Sequence, residues 1–404
     1  MSALPRPRVL YLWDADYPWD VRTEKVCRTL VEAGYDVDIV ARNSRWEAEV
    51  EELPEGVVRR MSPWRWVGQR ADRLLSFPFF GNPRWVVHLV RIMRARRPAV
   101  LIVRDLPLAP LAIWMARWFS IPVMIDMAEN YAAMIRDVWD AGRAGCADVI
   151  VRNPAIIAAV ERYVMPRMDH VITVVQESSD RVMALGVRAD RVSVVSNTPS
   201  RGRVTRPGPK ASGPSLRLVY LGLMEVPRGV LEVLDATAEL VREGRAIELQ
   251  LVGGGRDLDL FRAHATSLGL SAPRVVFHGT LPHAQALEVV GQADVGLVPH
   301  HATESWNTTI PNKLFDYMAA GLPVISSDAV PAARVVRETG AGLVHRSRDS
   351  ASLAAQLRML FDASERGRMA EAGRCAVRDR YNWEQDSRAL LRAVTATAGA
   401  KPGS

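Results

Sequence analysis

Thr308, Thr309, Asn312, Lys313 and Asp316 stand close together around Pro311. Their stretch reads as loop, helix, stop and strand. Pro311 suits a first helical turn, where its missing N–H would have had no partner. Leu314, Phe315 and Met318 share one helical face. Gly321 can take the left-handed conformation that ends a helix, and Pro323 prevents continuation. Val324 and Ile325 then begin a buried strand. A helix start offers unpaired N–H groups and a positive dipole end. With Lys313, two threonine hydroxyls and the Asn312 amide beside it, that is a binding site for a diphosphate. Asp316 lies one turn further in, where it can accept from ribose hydroxyls. An ordinary helix cap needs neither the lysine nor two threonines.

Further residues stand at strand ends. Gly253-Gly254-Gly255 follows the strand Ile247–Val252, so the backbone there can approach a nucleotide closely. The same triplet is also an ordinary strand-to-helix turn. Pro299-His300 ends another strand, and its backbone can meet a base. His300 and His301 lack metal-ligand spacing on a defined element, and no metal is expected. Asp14 and Asp16 form an Asp-x-Asp that reads as a polar turn after the first strand. Asp126 and Glu129 sit at a strand end. They either orient a substrate or form a local polar cluster.

These residues need a frame. Apolar strand runs alternate with amphipathic helices, which predicts an α/β fold with parallel, doubly wound sheets. Arg8–Trp13, Tyr35–Ala41, Val100–Val103, Pro122–Asp126, His170–Val175 and Val192–Val195 are predicted strands, and Thr23–Ala33 a helix. Pro199–Ser215, rich in Pro, Gly, Ser, Arg and Lys, reads as a linker. The alternation restarts with strands Leu216–Leu221, Ile247–Val252, Val275–His278 and Val295–Pro299, and helices Leu231–Arg242 and Ala284–Gly291. Two Rossmann-like domains are therefore expected, 1–198 and 216–380, joined by 199–215. Such sheets bind ligands at their carboxyl ends, here expected to face a shared cleft. A helix within 381–404 is expected to pack back on the first domain.

The 404 residues are 48% hydrophobic and 24% charged, as in a globular protein of two domains. Cys27, Cys146 and Cys375 lack metal-ligand spacing and suit free thiols in a reducing cytoplasm. The N-terminal residues lack an apolar signal core, and no export is expected. No apolar run is long enough to span a bilayer. The net charge is +7, mostly from arginine. That balance suits phosphorylated substrates or an anionic membrane surface. No nucleic-acid-binding signature is present, so nucleic acid is not an expected partner.

Met61–Arg97 interleaves Trp64, Trp66, Leu74, Leu75, Phe77, Phe79, Phe80 and Trp85 with Arg65, Arg70, Arg73, Arg84, Arg91, Arg94, Arg96 and Arg97. Aromatic residues beside arginine suit a membrane surface. The alternative is that the aromatics fill the first domain's core. Pro63, Pro78 and Pro83 break the stretch too often for a plain core helix, which favours the surface.

In order, the second half carries Tyr220-Leu221-Gly222, Pro227-Arg228-Gly229, Leu251-Val252-Gly253-Gly254-Gly255 and Val276-Phe277-His278-Gly279. Ala293–Pro299, the Pro311–Val324 helix and Gly340-Ala341-Gly342-Leu343-Val344 follow. In the first half, Tyr17-Pro18-Trp19-Asp20-Val21-Arg22 with Lys25, Ile125-Asp126-Met127-Ala128-Glu129 and Val194-Val195-Ser196-Asn197 stand at matching places. This order resembles the GT-B glycosyltransferases of family 4, retaining enzymes that use nucleotide-sugar donors. The resemblance implies that Asp316 holds the donor ribose as the second acid of a Glu-x7-Glu pattern. The first acid is replaced by Thr308, with Glu304 as a partial substitute. It implies that Arg228 belongs to a basic pair facing the diphosphate leaving group. The other member is missing at Leu223, and Lys313 is a candidate to supply it. Asp20, Arg22 and Asp126 fall on the acceptor side. Glu129 stays cleft-facing beside Ala128, which replaces the pattern's His.

The resemblance thus implies catalytic roles for Arg228, Lys313 and Glu129. Donor binding falls to Asp316, Thr308, Thr309, Asn312, Glu304, Gly253, Gly254 and Pro299, with no metal or other cofactor. The expected reaction moves a sugar from a UDP- or GDP-sugar to a glycan or polyprenyl-linked acceptor. Its expected setting is polysaccharide or glycoconjugate assembly in the cytoplasm, on the inner face of the cell membrane. Two alternatives stay open: a catalytically weak nucleotide- or glycan-binding scaffold, and a transferase for a small soluble metabolite.

Overall fold

The computed structural model of the protein describes residues 6–18, 20–61, 82–140, 142, 153–203 and 215–399. The chain divides into two compact units, 1–196 with 386–404, and 197–385.

The first unit holds an eight-stranded sheet in the order β3-β4-β2-β1-β5-β6-β7-β8. The strands are β1 (Arg8–Asp16), β2 (Asp36–Arg42), β3 (Val50–Leu53), β4 (Gly56–Met61), β5 (Val100–Arg104), β6 (Val123–Met127), β7 (His170–Thr173) and β8 (Val192–Val194). All pairings are parallel except the β3–β4 hairpin. β5 and β6 are buried along their whole length, as strands covered on both faces must be. Helices α1 (Val21–Glu32), α2 (Pro83–Ala95), α3 (Ala109–Phe119), α4 (Tyr131–Asp140), α5 (Pro154–Val164) and α6 (Gln176–Ala184) make the crossovers. Strand order reverses between β1 and β5, which opens a crevice at their carboxyl ends.

The second unit holds a six-stranded parallel sheet, β11-β10-β9-β12-β13-β14. Its strands are β9 (Leu216–Leu221), β10 (Ile247–Val252), β11 (Val275–Gly279), β12 (Val295–Val298), β13 (Val324–Ser327) and β14 (Gly342–His345). Its helices are α7 (Val230–Arg242), α8 (Leu258–Ser267), α9 (His283–Gln292), α10 (Asn312–Ala319), α11 (Val330–Thr339), α12 (Ser350–Met359) and α13 (Ala363–Asp379). The order reverses between β9 and β12. Helix α14 (Trp383–Gly399) has most of its length in the first unit, where Thr395 Oγ1 lies 3.1 Å from Tyr35 Oη.

The edge hairpin β3–β4 is absent from the sequence reading. Pro311 stands just before α10 in an extended conformation rather than inside its first turn, and α10 starts at Asn312. Gly321 takes φ +69°, the left-handed stop expected of it. Asp14 and Asp16 lie within β1 rather than in a turn after it. Asp14 accepts from Arg42 at 2.6 and 2.7 Å, and Asp16 accepts from Ser44 N at 2.7 Å.

Trp85 and Arg84 are corrections. Both were expected on a surface-facing segment, yet Trp85 lies in the first unit's core and Arg84 is buried beside it. Arg91, Arg94, Arg96 and Arg97 are exposed. Trp64, Trp66, Leu74, Leu75, Phe77, Phe79 and Phe80 lie outside the described residues. Among the described residues, no helix is long and apolar enough to cross a membrane.

Candidate active site

The second unit gathers its charged groups where β9 and β12 part. After β9 the chain turns at Gly222 and returns through a short turn, Val226–Arg228, into α7. Backbone bonds pin this loop. Gly222 N donates to Val252 O at 2.9 Å, Met224 N to Gly254 O at 2.9 Å, and His301 N to Pro227 O at 3.0 Å. Gly229, at φ +75°, lies so close to the Pro299 carbonyl that a side chain there would collide with it. A Cβ on Gly253 would strike the Gly222 carbonyl in the same way. The glycine triplet therefore packs the β10 turn against the β9 loop. Gly254 has Thr280 Oγ1 as its near neighbour.

Lys313 comes from the first turn of α10. The residue is half-buried, but its ammonium is shut off from solvent and has no hydrogen-bond partner. Nζ lies 4.0 Å from the centre of the Tyr220 ring. That ring is fixed in turn, since Tyr220 Oη donates to Leu223 O at 2.7 Å. Tyr317, also on α10, accepts from Leu221 N at 2.8 Å. Position 222 favours glycine because its φ is +149°, and a Cβ there would also lie 2.5 Å from Nζ. Burial, and next the Arg228 charge, depress the Lys313 pKa well below its ordinary value.

Arg228 closes the group. Its guanidinium lies 4.7 Å from the centre of the Trp306 ring, and Nη1 donates to His300 Nε2 at 3.3 Å. The His300 and Trp306 rings meet with centroids 4.2 Å apart. His300 is buried, and its pKa is depressed by that burial and then by the Lys313 and Arg228 charges. The ring is therefore neutral at neutral pH. Arg228 and Lys313 beside a neutral imidazole, with Glu225 a weak partner 4.0 Å from Arg228 Nε and shared with Arg256, form a site that suits an anion.

The other residues expected to bind the donor lie on α10 and in the segment between β12 and α10. Asp316 is half-buried on α10, Asn312 is exposed at its start, and Thr309 and Pro299 lie in the loops leading to the site. Glu304 is exposed in a turn. The Thr308 hydroxyl folds back to donate to the carbonyls of Glu304 at 3.1 Å and Ser305 at 3.2 Å. Leu223, where the second cation is missing, points largely to solvent at 52% exposure.

In the first unit, Arg22 and Asp126, two of the residues expected on the acceptor side, pair with each other. Both are buried and engage each other, Nε to Oδ1 at 2.9 Å and Nη2 to Oδ1 at 2.5 Å. Tyr11 Oη donates to Asp126 at 2.7 Å, and Arg22 Nη1 donates to Val195 O at 2.9 Å. Two opposite charges removed from water must satisfy one another, so this pair ties α1 to β6 and to the end of β8. Asp20 is likewise occupied. It caps α1 by accepting from Thr23 N at 2.7 Å and pairs with Arg104.

Near the β1/β5 crevice, Glu129 is exposed after β6, and Asp105 follows β5 at φ +59°. Asp105 Oδ1 accepts from Ala128 N at 3.1 Å. Burial pushes its carboxyl up to about 6. Arg104 opposes that shift, while Glu129 and Asp126 add to it.

Sequence reasoning missed Asp105, Tyr220, Trp306 and the side chain of His300. For Asp105 and His300 a signal existed, since each follows a predicted strand at a carboxyl end. Tyr220 reads as a strand residue that opens the first motif of the resemblance, with no sign of its contact to Lys313, and Trp306 carries no signal at all.

Both units match known families. Residues 20–198 match the model described as "Glycosyl transferase 4-like domain", and residues 215–363 the one described as "Glycosyl transferases group 1". Glycogen synthase of Mycobacterium tuberculosis is 26% identical over 72% of this chain and 67% of its own. Phosphatidyl-myo-inositol mannosyltransferase of Mycobacterium leprae is 32% identical over 46% of this chain and 48% of its own. The structure of sucrose-phosphate synthase from Thermosynechococcus elongatus aligns with a TM-score of 0.76 at 16% identity, covering 97% of this chain and 100% of that one. The two model matches together span residues 20–198 and 215–363, with the loops that carry Arg228 and Lys313, and so the chain belongs to the group 1 glycosyltransferases, transferases of the GT-B fold.

Proposed function

We propose that the protein is a retaining glycosyltransferase that moves a sugar from a UDP- or GDP-sugar to a glycan or polyprenyl-linked acceptor. The observation that carries this reading is the unpaired Lys313 ammonium beside Arg228 at the β9/β12 switch point. In it, Arg228 and Lys313 take the charge that develops on the departing diphosphate, and no metal takes part. Asp316 holds the ribose, with Thr308, Thr309, Asn312, Glu304, Gly253, Gly254 and Pro299 around the donor.

The acceptor oxygen bonds to the anomeric carbon on the face the diphosphate leaves, and its proton passes to a diphosphate oxygen. Glu129 and Asp105 orient the acceptor. Polysaccharide or glycoconjugate assembly is the setting that fits such acceptors. The mannosyltransferase relative, whose name specifies phosphatidyl-myo-inositol, supports a lipid-borne one.

The first unit is taken to rest on an anionic membrane. Helices α2 and α3 contain no acidic residue. They expose Val87, Trp114 and Trp118, the two tryptophan rings lying 5.5 Å apart. Loss of vesicle sedimentation at low salt would remove that part of the proposal.

Arg228→Ala tests the chemistry. Turnover should fall by roughly two to three orders of magnitude, as when one oxyanion donor is deleted. Asp316→Ala should abolish donor binding in calorimetry. Unchanged turnover in the first variant together with unchanged affinity in the second would refute the site.

A further inference from the structure

Arg228 sits on a three-residue turn, and a long side chain there has much rotamer freedom to lose. Its nearest acid is a weak partner. Glu225 Oε2 lies 4.0 Å from Nε, and the same carboxylate lies 3.5 Å from Arg256. The closer contacts are neutral. Trp306 places its π face under the guanidinium, and His300 accepts one of its N–H bonds. We propose that His300 and Trp306 are positioning residues that fix the Arg228 guanidinium for the leaving diphosphate. This inference rests on the role given to Arg228 above.

Three features support the arrangement. The two rings touch, so neither can turn without moving the other. The bond from His301 N to Pro227 O holds the strand end that carries His300 in register with the Arg228 turn. His300 accepts at Nε2, so the proton of its neutral ring is on Nδ1. That nitrogen is buried without a partner. A neutral seat orients Arg228 without neutralising it, whereas a carboxylate in the same place would compete with the diphosphate.

Steady-state kinetics with the full chain test the idea. Trp306→Leu and His300→Leu should each lower kcat roughly 10- to 100-fold, the size of a cation–π contact or a hydrogen bond to a charged group. Donor KM should change less than about threefold. His300→Gln, whose side-chain oxygen can accept the same bond, should recover most of the turnover, and Trp306→Phe, which keeps a π face, should do the same. In an Arg228→Ala background, Trp306→Leu should cost nothing further. Additive losses, a pure KM effect, or a Phe variant as slow as the Leu variant would each overturn the seat while leaving Arg228 in its role. If Arg228→Ala alone keeps full turnover, the role of Arg228 falls, and the seat with it.

Discussion

Lys313→Met should make the protein more stable and unable to bind its donor. Methionine matches the length of the lysine stem, is unbranched, and fills irregular apolar space well. In the native protein the stem ends in a buried ammonium with no hydrogen-bond partner beside the Tyr220 ring. An unsatisfied buried polar group costs roughly 1–3 kcal/mol, more if charged. Removing it should raise the melting temperature of the second unit by roughly 2–12 °C, at 2–4 °C per kcal/mol for a unit of this size.

The gain depends on pH. Burial and Arg228 hold the Lys313 pKa well below 10.5. Below that value, down to the depressed folded pKa, the unfolded chain binds a proton that the folded one does not. Wild-type stability therefore rises with pH through this window, and the advantage of the variant shrinks as pH rises. Differential scanning fluorimetry with and without UDP or GDP reads both effects. Wild type at a hundredfold excess over Kd gains about 2.7 kcal/mol by mass action. The variant should gain none, so the order of melting should narrow or invert with nucleotide. A variant that melts no higher than wild type in free form, or that keeps the nucleotide shift, would refute the reasoning.

Two further outcomes concern the first unit. Asp126→Asn leaves Arg22 buried with a neutral partner. Breaking such a pair costs roughly 3–5 kcal/mol, so this unit should melt roughly 10 °C lower while donor affinity, measured by calorimetry below the transition, stays unchanged. Lost affinity with an unchanged melt would argue for a binding role instead. Asp105→Asn addresses a carboxyl raised from 3.8 to about 6, by burial first. The folded state keeps that proton longer than the unfolded chain. The stability tied to Asp105 is therefore full below about pH 4 and lost as pH rises through 6, by up to about 3 kcal/mol. Denaturant unfolding of the Asn variant should lack this decline; identical slopes in both proteins would show that Asp105 does not titrate there.

Much of the frame was legible in the sequence. Leu216–Leu221 and Ile247–Val252 were read with the bounds they have in the fold, because apolar residues at every second position or more stand there between turn residues. The order of motifs led to the GT-B glycosyltransferases, and the matches over both units agree with it. The hairpin Val50–Met61 was missed. Its exposed face carries Glu and Arg in place of an apolar run.

The residue types at the candidate site were also legible, since a lysine at a helix start after Pro311 is a local pattern. Their electrostatics were not. Arg228 meets His300 across 72 positions of sequence, and Arg22 meets Asp126 across 104. Periodicity along the chain reports which face of an element is buried, but not which element lies against it. That depends on strand order, and the reversal between β9 and β12 is what places Arg228 against His300 and Trp306. The sequence alone determined two Rossmann-like sheets and a lysine at a helix start. Only tertiary packing decided that Arg22 and Asp126 satisfy each other in the core while Lys313 is buried with no counter-charge. The difference is physical, because a charge removed from water takes its energy from whichever groups the fold brings within a few ångströms.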